Sequence, residues 1–242
     1  MARLRERLID TVASLLGGAL AGVFAAIRAM RHPRPIHPRG LVLIGDIAWL
    51  GTGVRSGIAW IDAPPVAPAP VTARLSRSVG LPAPLPDVIG LALRITIARE
   101  SRFADLELAT TGIGVPGRFL LRPHRTPSRA LFGTLLPYRS STGPVLIAAQ
   151  PRPGRTLPSG LPQISDAIGE EPWTLQLSFA RPRGPWHPFA EVTLRVAEDQ
   201  DDHDLRFDAL RHPLPGASAY RWERLARQLS YDLIQRTGSP GR

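Results

Sequence analysis

Two side chains near the C-terminus have the types and spacing needed for iron chemistry. Arg227 and Tyr231 lie one helical turn apart within residues 218–235, whose apolar spacing predicts an amphipathic helix. The fixed positive charge of the arginine beside the phenol favours the phenolate, which is a hard anionic ligand for ferric iron. The same stretch also fits a packed tyrosine beside a solvated arginine. These residues alone leave both interpretations open.

A second group of candidates lies in the first third of the chain. His37 follows Arg34 by three residues in a proline-rich stretch, and proline holds the backbone extended and rigid. Arg74 and Ser76 are two residues apart in a predicted strand, so they share one face. One histidine and two arginines on rigid elements could hold a dianionic cofactor and place an acid–base group over its face.

Short segments of strand character have to position these side chains. Gly and Pro turns separate the segments, and the predicted helix 218–235 follows them. This order predicts an α+β fold, an antiparallel β-barrel or curled sheet with external helices. The predicted strands are 41–44, 58–61, 71–75, 89–97, 104–109, 117–121, 144–149, 173–179 and 190–196.

The first 30 residues have a helical apolar pattern of a different kind. Residues 11–27 carry no charge, and Gly18 and Gly22 form a small-xxx-small pair. We expect an N-terminal helical arm, residues 1–30, lying on its own or a partner's domain. Peripheral membrane contact through the same residues is the alternative, although the uncharged run is short for a span.

Composition excludes several kinds of chemistry. The chain has no cysteine, and all 30 basic side chains are arginine. Thiol nucleophiles, disulfides, iron–sulfur clusters, Schiff-base lysines and phosphate-loop lysines are therefore excluded. The net charge of +10 is spread along the chain without a basic run, so no nucleic-acid partner is predicted. Arginines that neutralise the carboxylates of a bound cofactor would also contribute to this charge.

Two further patterns carry no predicted chemistry. Residues 112–117 have the G-x-G-x-x-G spacing, but a proline and strand-like residues follow where a dinucleotide-binding loop opens a helix. The acidic residues at 199–204 lack the central glycine and distal glutamate of a calcium loop. We interpret them as a solvated turn.

Five short motifs occur in the order found in the haem catalase core. They are Arg-Pro-Ile-His at 34–37, Ala-Arg-Leu-Ser at 73–76, Asp-Val-Ile-Gly-Leu-Ala-Leu-Arg at 87–94, Asp-Leu at 105–106, and Arg227 with Tyr231. The chain thus resembles the catalase core superfamily, and most closely its small, catalase-related branch. The resemblance runs over about residues 31–236 and is sparse between 123 and 217, so the predicted barrel domain is 31–242.

The resemblance implies a b-type haem and a role for each motif residue. His37 looks like the distal histidine that acts on peroxide, with Ser76 as the hydroxyl that orients it. Tyr231 looks like the proximal iron ligand. The implied cofactor-binding residues are Arg34 and Arg74 for the propionates, with Arg227 and Tyr231 on the proximal side.

One departure from the catalase pattern affects the predicted activity. Ala109 stands where catalases carry a distal asparagine, and Thr110 and Thr111 follow it. We take Thr110 as the candidate catalytic hydroxyl in place of the amide. The resemblance then implies a haem-dependent oxidoreductase acting on hydrogen peroxide or organic hydroperoxides, with weak catalase activity.

Two alternatives and the cellular context complete the expectations. A non-catalytic haem carrier or sensor could use the same fold, and a basic, membrane-associated scaffold could use residues 1–30. We expect a peroxide or hydroperoxide substrate, a homo-oligomer and a cytoplasmic location, with membrane association as the alternative.

Overall fold

The computed structural model describes residues 39–97, 102–197, 202 and 205–220. Nine strands and two helices lie in this part of the chain. The strands are β1 (Gly40–Trp49), β2 (Ala69–Arg77), β3 (Ile89–Ile97), β4 (Arg102–Thr111), β5 (Leu131–Gly133), β6 (Tyr138–Ser140), β7 (Gly143–Pro151), β8 (Trp173–Ala180) and β9 (His187–Val196). The helices are α1 (Ala59–Asp62) and α2 (Leu161–Glu170).

The strands close into an antiparallel barrel. The sheet order is β5-β4-β3-β2-β1-β9-β8-β7, and β7 also pairs with β5, which joins the two ends. The short β6 adds to β7 beyond β5. The predicted fold class, an α+β antiparallel barrel, is confirmed. Closure removes the exposed strand edges that an open sheet would leave for aggregation.

Alternation along the strands separates a core face from an outer face. Every second residue points into the barrel, and burying each large apolar side chain there contributes about 1.5–3 kcal/mol. α2 adds Ile164 and Ile168 to the same core. The inward side chains of β1–β4 include Leu43, Ile47, Ala73, Leu75, Leu91, Leu93, Ile95, Leu106 and Leu108.

Two predicted elements differ from the observed ones. Residues 58–61 fall in a single helical turn. Trp60 and Ile61 are both buried in α1, whereas a strand would expose one of two consecutive side chains. Residues 117–121 contain a 3-10 turn, Gly117–Phe119. The sequence analysis also missed β5, β6 and α2.

The two termini are not described beyond these limits. The compact unit that holds the barrel spans His37–Ser218. The predicted arm (1–30) and terminal helix (218–235) lie almost wholly outside the described residues and stay predictions. Within the described part of the chain, no helix is long and apolar enough to cross a membrane.

The chain after β9 returns across the outside of β3 and β4. The backbone amide of Asp105 donates to the carbonyl of His212 at 2.8 Å, and the amide of Ala209 donates to Glu107 Oε1 at 3.1 Å. The amide of Asp208 donates to Asp105 Oδ2 at 2.9 Å. These contacts attach residues 208–212 to the outer surface of β4.

A buried ion pair underlies this attachment. Arg94 Nε and Nη2 donate to the two oxygens of Asp105, both at 2.8 Å, and the guanidinium carbon lies 4.0 Å from the centre of the Phe103 ring. Burial alone would raise the pKa of Asp105. The hydrogen bonds from Arg94 and from the Asp208 amide, with the charge of Arg94, outweigh burial and lower the pKa below its usual value of 3.8.

We predict that Asp105→Asn destabilises the protein most at neutral pH, by about 3 kcal/mol, because Arg94 loses its buried partner. The lowered folded-state pKa means that the carboxylate stabilises the fold above pH 4, and that this contribution disappears as the pH falls through the folded pKa. Urea unfolding, followed by circular dichroism at pH 3–7, should show that the difference in free energy of unfolding between the wild type and Asp105→Asn becomes smaller as the pH falls. Asp166→Asn, at an exposed position on α2, is the control. A deficit of constant size across this range contradicts the prediction.

Candidate cofactor-binding face

Five small residues form one continuous row on the outer face of β1–β5. Direct cross-strand pairing runs from Gly40 to Ser76, then to Gly90, Ala109 and Gly133. Directly paired residues point to the same face, and four strand spacings make the row about 19 Å long. Because its largest side chain is a serine, this small-residue row is a flat strip on the outside of the barrel.

The adjacent row carries the charges. Arg74 pairs with Val42 on β1 and Ala92 on β3, and Ala92 pairs with Glu107 on β4. Arg74 is only 8% exposed. A Cβ on Gly40 would lie 2.6 Å from Arg74 Nε, so the glycine leaves the space that the guanidinium fills. This cation therefore borders the small-residue row.

Arg74 holds a carboxylate of the protein itself. Its Nη2 donates to Asp202 Oδ2 at 2.9 Å, and its Nε donates to Asp202 Oδ1. The amide of Gly40 also donates to Asp202 Oδ2 at 2.9 Å. The interpretation of residues 199–204 as a solvated turn is wrong for Asp202, whose side chain is 16% exposed. The forked guanidinium of Arg74 is thus in a position to bind carboxylates.

Thr110 lies on β4, and its side chain points to the inner face of the sheet, opposite to the outer face that carries Arg74 and Ser76 on β2. Thr110 Oγ1 donates to the carbonyl of Arg122 at 2.7 Å and accepts from the amide of Ile89 at 3.1 Å. Its side chain is fully buried. The hydroxyl therefore joins the ends of β3 and β4 to the segment that follows the 3-10 turn. Its hydrogen-bonding groups are used within the fold.

Thr111, which the sequence analysis did not select, lies on the same face as the small-residue row. It is two residues beyond Ala109 and is 2% exposed. Its Oγ1 has no hydrogen-bond partner among the residues that the structure describes. A Cβ on Gly133 would lie 2.7 Å from this oxygen, so the hydroxyl occupies the space above Gly133. The sequence did contain one indication, because Thr111 follows Ala109 by two residues and alternate residues of a strand share a face. That spacing is informative only once the strand and its register are known.

Ser76 is the remaining described candidate. It is 3% exposed and sits in the small-residue row, two residues from Arg74. The sequence prediction that Arg74 and Ser76 share a face is confirmed by their pairing with Ala92 and Gly90. The other four candidates, His37, Arg34, Arg227 and Tyr231, lie outside the described residues and stay predictions. The described residues contain no group of three or more His, Cys, Asp or Glu that could hold a metal ion.

The face fits a flat cofactor that carries carboxylates. The small-residue row presents a flat surface without bulky side chains to a planar group, and Arg74, paired with Asp202, places a forked cation beside it. An unpartnered buried hydroxyl at Thr111 costs free energy unless a ligand completes it. Haem b, which is planar and has two propionates, meets the first two of these conditions.

Comparison with known proteins identifies the architecture. No protein-family model and no curated protein matches the chain. Similar solved structures include a bacterial catalase (12% identity, TM-score 0.57), a fungal catalase (15%, 0.61) and catalase A from Saccharomyces cerevisiae (11%, 0.59). Each likeness covers 90% of this chain and 59%, 62% and 63% of those chains, respectively. The chain therefore spans less than two thirds of these catalases, and at this identity it shares their fold: it has a catalase-like barrel.

Proposed function

We propose that this chain binds haem b on the outer face of β1–β4 and acts as an oxidoreductase on hydrogen peroxide or organic hydroperoxides. The observation that carries the proposal is the small-residue row bordered by buried Arg74, in a barrel whose structural neighbours are catalases. A planar dianion would face this row and neutralise part of the arginine excess. Catalase activity would be weak.

Tyr231 would bind the iron of the cofactor. The phenolate form is required, and Arg227 one helical turn away favours it by direct attraction. Arg34 and Arg74 would bind the propionates through charge-assisted hydrogen bonds. Arg74 already makes this kind of contact with the Asp202 carboxylate, which supports its assignment as a carboxylate-binding residue.

His37 would carry out the proton chemistry. When bound, haem supplies the two electrons that cleavage of the O–O bond consumes. His37 takes the proton from one peroxide oxygen and delivers it to the other, which leaves as water from hydrogen peroxide or as an alcohol from an organic hydroperoxide. Ser76 orients the imidazole. A second peroxide or an organic donor would then return the electrons.

A non-catalytic haem carrier or sensor is the second candidate. Ala109 favours it, because this position of the small-residue row has no side-chain hydrogen-bond donor. Turnover of peroxide separates the two functions, since a carrier binds haem without accelerating peroxide decomposition.

We predict that the haem-loaded protein has a tyrosinate-type ferric absorption spectrum and that Tyr231→Phe loses it. Phenylalanine keeps the ring but removes the ligand oxygen. Tyr220→Phe is the matched control because it removes another of the three tyrosine hydroxyls in the chain. An unchanged spectrum in Tyr231→Phe, or failure of the wild type to bind haem stoichiometrically, contradicts the proposal.

We predict that His37→Ala lowers kcat/KM for peroxide decomposition by about 10²–10⁴-fold, the contribution of a positioned acid–base group. Haem content and the ferric spectrum should stay near wild type, because His37 is not assigned as a ligand. Initial rates of oxygen release and of donor oxidation provide the measurement. His187→Ala, on β9, is the control. Equal rates in wild type and His37→Ala support the carrier.

We predict opposite effects on haem affinity from the two members of the Arg74–Asp202 pair. Arg74→Gln should weaken binding by about tenfold, because a charge-assisted hydrogen bond to a propionate is lost. Asp202→Asn should strengthen binding, because it removes a competing carboxylate. Haem titration of the apoprotein, with its unfolding midpoint recorded, measures both. If both variants weaken binding in proportion to their loss of stability, the ion pair is structural only.

A further inference from the structure

The hydroxyl of Thr111 is the one described polar group of the outer face that is buried and unsatisfied. Thr111 is 2% exposed, and its Oγ1 has no hydrogen-bond partner among the described residues. Buried hydroxyls without partners are rare because removal from water is costly. An orphan of this kind on a candidate binding face points to a ligand that completes it.

Geometry directs this hydroxyl over the small-residue row. Thr111 follows Ala109 by two residues, so the two side chains share the outer face. Oγ1 is the atom nearest to a Cβ built on Gly133, at 2.7 Å, and Gly133 pairs with Ala109 in the row. The hydroxyl therefore occupies the space at the β5 end of the row that a larger residue at 133 would take.

We propose that Thr111 Oγ1 is the hydrogen-bond anchor for a small oxygen-bearing or anionic ligand bound over the small-residue row. Under the proposed function this ligand is the peroxide, and the inference rests on that function for its identity. A hydroxyl both donates and accepts a hydrogen bond, so it can hold a peroxide oxygen in either protonation state. Thr111 is a positioning residue, and no proton transfer is assigned to it.

Thr110 provides the contrast one residue away. Its Oγ1 already accepts from the amide of Ile89 and donates to the carbonyl of Arg122. Removing it leaves the buried amide of Ile89 and the carbonyl of Arg122 without this partner, whereas removing the Thr111 hydroxyl leaves no backbone group unpaired. Val replaces Thr with the same branched shape at both sites, and β-branched residues suit strands. Comparing Thr110→Val with Thr111→Val therefore distinguishes a hydroxyl that stabilises the fold from a hydroxyl that is available to a ligand.

The first measurement uses the apoprotein and requires no cofactor. We expect Thr110→Val to lower the thermal unfolding midpoint by at least about 2–4 °C, because two backbone partners lose their hydrogen bonds. We expect Thr111→Val to leave the midpoint unchanged or to raise it, because an unsatisfied buried group is removed. A midpoint lowered as much by Thr111→Val as by Thr110→Val shows that the Thr111 hydroxyl is already satisfied in the apoprotein and overturns the proposal.

The second measurement is fluoride binding to the haem-loaded ferric protein, followed by visible absorption. Iron-bound fluoride accepts hydrogen bonds from nearby donors. We expect Thr111→Val to weaken fluoride binding about tenfold, Thr111→Ser to retain it, and Thr110→Val to leave it unchanged. Gly133→Ala should weaken it as well, because the added methyl displaces Oγ1.

The outcomes distinguish this proposal from the proposed function. If the wild type takes up no haem, the proposed function fails, and the unfolding midpoints of Thr110→Val and Thr111→Val alone decide whether the Thr111 hydroxyl is unsatisfied in the apoprotein. If haem binds with a tyrosinate-type spectrum but Thr111→Val binds fluoride as tightly as wild type, only the role of Thr111 is overturned. Equal losses in Thr111→Ser and Thr111→Val assign the effect to packing and also overturn it.

Discussion

The cross-strand register of β1–β5 is the constraint on which the candidate site depends. Alternation sends one half of the side chains into the core, where Leu75 and Leu91 pack, and leaves the other half to meet outside. The small-residue row exists because five strands place their smallest outward residues opposite one another. A shift of one residue in any strand would exchange its core and site faces. The apolar core therefore fixes the site register as well.

Ion pairs then attach the rest of the chain to this outer face. Arg94 with Asp105 and Arg74 with Asp202 each join a strand arginine to a carboxylate, and the second pair spans 128 residues of sequence. Buried pairs of this kind add little net stability over apolar packing, but breaking one leaves an uncompensated charge. They consequently specify where the segment after β9 lies. Arg74 is both part of this attachment and the described cation beside the small-residue row, so packing of that segment and binding of an anionic cofactor would compete for one guanidinium.

Much of the barrel could be predicted from sequence because the hydrophobic pattern within a long segment is enough to indicate a strand. Residues 71–75 alternate and residues 89–97 form a long, largely apolar run, and both are strands. Residues 58–61 form a short apolar run, which cannot be assigned to helix or strand by periodicity alone. β5 has only three residues, too few for a period. Asp202 was misread because its partner, Arg74, is distant in sequence and reaches it only through the fold.

The two adjacent threonines show where sequence reasoning about the site had to stop. Thr110 and Thr111 have the same chemistry, and nothing local distinguishes them; the register of β4 puts their side chains on opposite faces. The inward hydroxyl became structural because the chain at Arg122 inserts beside it and supplies an acceptor. The outward hydroxyl meets Gly133, which has no polar side chain to offer it a partner. A buried polar group left unpaired is a stability cost that folding alone does not explain, and such costs concentrate at binding sites. In this chain the proposed ligand position rests on the unsatisfied atom rather than on the motif.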